Sequence, residues 1–79
     1  MADWLEEVAK LLWKISLENP DLAKDIRLAV KRIERNPGVG RFIRDTRYVY
    51  TDPHERFRIG YNFFSKKNEL EIVVLHIIR

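Results

Sequence analysis

Cysteine is absent from this chain, which excludes disulfides and thiolate metal sites as supports for the fold and fits a reducing compartment. No apolar run approaches the ~20 residues needed to span a bilayer, so no membrane partner is expected. The opening Met1-Ala2-Asp3-Trp4-Leu5-Glu6-Glu7 is acidic, unlike a secretory signal. A cytoplasmic location is therefore expected. Serine occurs only at Ser16 and Ser65, on a helix pattern and in a polar loop, which argues against a nucleophile paired with a base. His54 and His76 lack the spacing of a metal site. Pro37-Gly38-Val39-Gly40 lacks the Gly-Lys-Ser/Thr that would follow in a phosphate loop. No internal repeat, low-complexity tract, metal or cofactor signature is present.

The chain contains 79 residues, 46% of them hydrophobic. That bounds it to a single domain over residues 1–79 that buries only about 60% of its unfolded surface. The net charge of +3 is a mild bias, but its distribution is uneven. Residues 1–25 lean acidic. Residues 26–58 hold Arg27, Lys31, Arg32, Arg35, Arg41, Arg44, Arg47, Arg56 and Arg58 against four acidic groups. A positive face is expected in that part of the molecule.

Periodicity predicts two helices and three strands. Asp3 reads as an N-cap with Glu6 as its capping-box partner, opening a helix over 3–18. Trp4, Leu5, Val8, Leu11, Leu12 and Ile15 share its buried face, and Trp13 and Leu17 fall beside that stripe. Asn19-Pro20-Asp21 caps a second helix over 20–35, whose stripe is Leu22, Ala23, Ile26, Ala29, Val30 and Ile33. The short connection makes the pair an antiparallel hairpin. Residues 41–46 read as a loop or a poorly formed strand. Strands follow at 47–51, 56–64 and 70–78. In the middle one, Phe57, Ile59, Tyr61 and Phe63 alternate with Arg56, Arg58, Gly60 and Asn62. The expected fold class is α+β: a helical hairpin packed on a three-stranded antiparallel meander, in the order α-α-β-β-β. Ile72-Val73-Val74-Leu75 is apolar on both faces, which suits a covered strand better than the edge this meander provides.

An arginine set is the feature best suited to binding. Arg56 and Arg58 are expected to project from one sheet face, with Arg41, Arg44 and Arg47 leading into the sheet and Arg79 ending it. Guanidinium forks bind phosphates and carboxylates in a bidentate manner. The plainer reading is a solvated sheet face whose arginines cover aromatic surface. His76 reads as a strand histidine and not as a catalytic group. With the arginines it is a candidate binding residue.

The stretches Leu17-Glu18-Asn19-Pro20-Asp21-Leu22-Ala23 and Arg32-Ile33-Glu34-Arg35-Asn36-Pro37-Gly38-Val39-Gly40-Arg41 resemble the helical hairpin and following loop of ParE toxins. Arg56-Phe57-Arg58-Ile59-Gly60-Tyr61 resembles a strand motif of the RelE/ParE toxin superfamily. Glu71-Ile72-Val73-Val74-Leu75-His76-Ile77-Ile78-Arg79 resembles the ParE ending. The resemblance covers almost the whole chain in order. It implies the toxin of a type II toxin–antitoxin pair, neutralised by a cognate antitoxin. In the ParE branch the implied target is DNA gyrase, reached by protein contact. In the RelE branch the implied activity is ribosome-dependent mRNA cleavage, with Arg58 and Arg79 matching catalytic positions. The branch's C-terminal Tyr or His has no counterpart here, which favours ParE. A non-toxic scaffold of truncated or engineered origin is a third reading. Members also begin with a strand before the first helix. Here the helix pattern starts at Asp3, so that strand is expected to be missing. The edge of Leu70–Ile78 would then be open to a second copy or to an antitoxin segment.

Overall fold

A computed structural model describes residues 2–43, 47–64 and 66–78. The α+β class is as expected, but the sheet is larger. Its elements are β1 (Ala2–Trp4), α1 (Glu6–Glu18), α2 (Pro20–Arg35), a short 3-10 turn at Pro37–Val39, β2 (Arg41–Ile43), β3 (Arg47–Thr51), β4 (Phe57–Phe64) and β5 (Glu69–Ile77). The five strands lie in the order β1-β5-β4-β3-β2. The expected meander is β3-β4-β5, antiparallel throughout. To it the structure adds β2, antiparallel on β3, and β1, parallel on β5.

The N-terminus corrects the expected helix start. Ala2, Asp3 and Trp4 pair with Leu70, Glu71 and Ile72, and the Leu5 amide donates to the Ile72 carbonyl at 3.1 Å. Asp3 is therefore no cap. The cap position of α1 falls to Leu5, without a side-chain bond. The capping box is a local signal. It loses to main-chain pairing on the edge of β5 together with packing of Trp4 against the core. Leu5, expected in the buried stripe, is 44% exposed because it sits in the bend between strand and helix. The open edge expected at Leu70–Ile78 is taken by β1 over Leu70–Ile72.

The helical hairpin forms as its residues dictate. Asn19 closes α1 by donating its amide to the Ile15 carbonyl at 2.7 Å. It also opens α2, its side chain accepting from the Leu22 amide at 3.2 Å, with Pro20 at the first helical position. Val8, Leu12 and Ile15 from α1, and Ala23, Ile26, Ala29, Val30 and Ile33 from α2, pack on one face of the sheet. That face supplies Tyr50, Phe57, Ile59, Tyr61, Leu70, Ile72 and Leu75. Phe63, expected with them, is only half-buried. Each fully buried isoleucine contributes about 1.5–3 kcal/mol by transfer from water. Trp13 and Leu17 remain 67% and 65% exposed. Among the described residues no helix is long and apolar enough to cross a membrane.

The doubly apolar run in β5 has a physical cause. Gly60 pairs with Val74 and Tyr61 with Ile72, leaving Val73 as an extra residue. This bulge shifts the inward parity from Leu70 and Ile72 to Leu75 and Ile77. The strand is internal to the sheet over Leu70–Ile72, where β1 pairs with it, and Val73 and Val74 beyond that stretch are half-buried.

Because Trp4 ties β1 to the core, Trp4→Ala is expected to lower unfolding stability by about 1–3 kcal/mol, below the full cost of a buried Trp because the ring is partly exposed. The shift in urea midpoint measures this. An unchanged midpoint would show that β1 is held by backbone pairing alone.

Candidate functional site on the outer sheet face

Both helices pack on one face of the sheet, so strand alternation sends every other side chain to the opposite, outer face. On this face the cross-strand rows are Arg41–Val49–Gly60–Val74 and Thr51–Arg58–His76. Side chains in one row stand about 4.5–5.5 Å apart at Cβ. The two rows place Arg41 and Arg58 on the same open cleft of about 530 Å³, lined by Val39, Arg41, Val49, Thr51, Glu55 and Arg58. His76 is exposed beside Arg58. Val49 supplies an apolar floor, and the arginines supply charge above it.

The remaining arginines of the expected set go elsewhere. Arg47 lines a separate recess of about 240 Å³ with Phe42, Tyr48 and Asn62, its stem lying over Gly60. A Cβ on Gly60 would approach Arg47 Cδ to 3.3 Å and Val74 Cβ to 2.9 Å, so glycine lets these side chains cross the strand. Arg44 and Arg79 lie outside the described residues.

Arg56 departs from the expectation that it projects with Arg58. Its Nε donates to Asp52 Oδ2 at 2.8 Å, its Nη2 to Asp52 Oδ1 at 3.2 Å and its Nη1 to Asp25 Oδ2 of α2 at 2.8 Å. The guanidinium also lies 5.9 Å from the centre of the Phe57 ring. Two carboxylates therefore draw Arg56 toward α2, and it clamps the β3–β4 turn to the helix layer. Asp52 is only 4% exposed. Hydrogen bonds from the Arg56 side chain hold its carboxyl below the ordinary 3.8, against the opposing effect of burial. Both carboxylates in turn raise the Arg56 pKa further. Alternation alone hid this clamp, although the Asp52–Arg56 spacing across a Pro-containing turn is a signal that could have shown it.

A second support was also hidden. Tyr61 reads as a core aromatic, and its ring does stack on Tyr48 at 5.4 Å. Its hydroxyl, however, accepts from the Gly40 amide at 3.0 Å and donates to the Pro37 carbonyl. Burial pushes the Tyr61 phenol up, partly opposed by the Gly40 hydrogen bond, so the hydroxyl keeps the proton it donates. These bonds fasten the segment that carries Val39 and Arg41 to the cleft. A Cβ on Gly40 would lie 2.5 Å from the Tyr61 hydroxyl oxygen and 3.0 Å from the Val49 carbonyl oxygen, so this approach requires glycine.

Among the described residues no group of three or more His, Cys, Asp or Glu side chains is placed to hold a metal ion. The cleft can engage anions by charge and paired hydrogen bonds. Comparison of the chain with protein-family models, with curated proteins and with solved structures gives no match.

The Asp52–Arg56 clamp should make stability depend on pH. The folded-state pKa of Asp52 is the lower one, so its contribution is complete above 3.8 and is lost as pH falls through the folded-state value. Asp52→Asn is expected to cost about 1–2 kcal/mol at neutral pH, toward the low end for a charged hydrogen bond because Arg56 is partly solvated. Urea midpoints of variant and wild type should converge in steps below 3.8. A gap that stays constant would remove Asp52 ionisation from the account.

Proposed function

We propose that this chain is a ParE-like toxin of the RelE/ParE superfamily, which inhibits DNA gyrase by protein contact and is neutralised by a cognate antitoxin. The observation that carries the reading is the element order: a strand, a helical hairpin, then antiparallel strands, with the first strand laid beside the last. The resemblance in the motifs calls for such a strand before the first helix, and β1 supplies it. A cytoplasmic location follows from the target.

The cleft favours contact over chemistry. Among the described residues, the groups with displaced pKa values are Asp52, Arg56 and Tyr61, and all three are engaged in holding the fold. Arg41 and Arg58 are exposed and can pair with carboxylates of a partner. A surface of this kind gives specificity and association rate through charge complementarity.

One observation favours a second reading. Arg58 lies directly opposite His76 across β4 and β5, which sets a guanidinium fork suited to phosphate beside an imidazole. In a RelE-type mRNA interferase, Arg58 would stabilise the charge developing on a phosphate. Its target would be ribosome-bound mRNA.

Induced expression in a bacterium is expected to arrest growth. The purified chain is expected to inhibit gyrase supercoiling while leaving mRNA intact in a translation extract. The Arg41→Ala/Arg58→Ala double variant should weaken inhibition by about tenfold, the equivalent of 1.4 kcal/mol, without changing the melting temperature. Cleaved mRNA with active gyrase would replace this reading by the interferase. Normal growth with both targets intact would leave only the scaffold reading.

A further inference from the structure

Glu55 takes a φ of 55°, a left-handed conformation in which an L side chain is disfavoured and glycine or asparagine is the usual occupant. The turn imposes this backbone. The Glu55 amide donates to the Asp52 carbonyl at 2.8 Å, and the next amide, of Arg56, donates to Asp52 Oδ2 at 3.1 Å. Nothing in that bonding needs a carboxylate at Glu55. Its side chain instead lines the cleft that Arg41 and Arg58 share. No hydrogen bond or ion pair joins Glu55 to either arginine among the described residues. A disfavoured conformation kept at the rim of a ligand-sized cleft points to use of the side chain there.

The charge pattern identifies the class of ligand. Two guanidiniums, one carboxylate and the Thr51 hydroxyl surround a floor of Val39 and Val49. A nucleic-acid backbone carries negative charge at every nucleotide and offers nothing cationic to Glu55, so it meets repulsion at this end of the cleft. A protein segment can present carboxylates to Arg41 and Arg58, an apolar side chain to the valines and a Lys or Arg to Glu55. We infer that the cleft receives a protein segment of this mixed charge, and that Glu55 is the specificity residue that disfavours polyphosphate. This deepens the contact reading and rests on it, since it takes the partner to be protein. Glu55 acts through charge: like charges brought together suppress the wrong partner, and opposite charges fix the orientation of the right one.

The test is fluorescence anisotropy on the purified full chain with two labelled probes. One is single-stranded oligouridylate, and the other a short peptide alternating Glu, Leu and Lys. Glu55→Gln is expected to bind oligouridylate about two- to fivefold more tightly than wild type and the peptide less tightly by a similar factor, the range for one exposed charge pair. Glu55→Gly should show the same two changes and melt at a higher temperature, because the left-handed position no longer carries a side chain. Having both variants keeps the test sound if one of them folds poorly. The Arg41→Ala/Arg58→Ala double variant should lose affinity for both probes. Oligouridylate affinity unchanged in both Glu55 variants, or peptide affinity unchanged in both, would overturn the inference. Neither gyrase nor ribosome enters these titrations. A chain that fails to inhibit gyrase refutes the proposed function at its own assay, whereas unchanged probe affinities refute only the role of Glu55.

Discussion

The extra residue in β5 decides which of that strand's side chains each face of the sheet carries. Leu70 and Ile72 point into the core. Strict alternation from there would send Val74 and His76 inward and leave Leu75 and Ile77 on the outer face. Val73, unpaired between Ile72 and Val74, reverses that parity. Leu75 and Ile77 therefore join the helices, and His76 emerges opposite Arg58. Gly60 lies across from Val74, where a Cβ would come within 2.9 Å of the valine Cβ, so glycine and bulge fit together at one point of the β4–β5 pairing. The inward placement of Leu75 and Ile77 and the outward placement of His76 both follow from this local break in register.

With the faces assigned, arginines of one chemical type serve different purposes. Arg56 is held by Asp52 and Asp25 and joins the β3–β4 turn to α2. Arg58, two residues along the same strand, is exposed and free to meet a ligand. Arg41 reaches the same cleft from β2, and its position depends on the Tyr61 hydroxyl through Pro37 and Gly40. The site is thus built on two supports that lie under the sheet or at its end: a charged clamp and a phenol that fastens a loop. Both place their polar atoms where they are fully paired, and no buried side-chain nitrogen or oxygen among the described residues lacks a hydrogen bond. The outer face can therefore carry unpaired charge while the fold beneath it stays satisfied.

This division also bears on what the face can do. Guanidiniums on a solvated sheet face attract anions and orient them, and the range of that attraction is set by ionic strength. Chemistry would need in addition a group whose proton affinity is tuned to the reaction. Asp52, Arg56 and Tyr61, whose proton affinities are shifted, are engaged in holding the fold.

Much of the fold was legible along the chain because its signals are local. Asn19-Pro20 closes one helix and opens the next through bonds that span three or four residues. The stripes of α1 and α2 and the alternation of β4 follow the periods of isolated helices and strands. The family resemblance likewise rests on short stretches. The start of the chain was misread because a capping box is local, whereas β1 forms only when β5, some seventy residues away, offers its edge. The candidate site was legible as a set of residue types but not as a place. Sequence alone determined that there would be two amphipathic helices, alternating strands and a surplus of arginine after residue 26. Tertiary structure alone decided that Arg56 is drawn in, that Arg41, Glu55 and Arg58 share a cleft, and that His76 faces outward. These outcomes depend on register, on one extra residue and on charges brought together across the sheet, and pairing between distant segments settles all three.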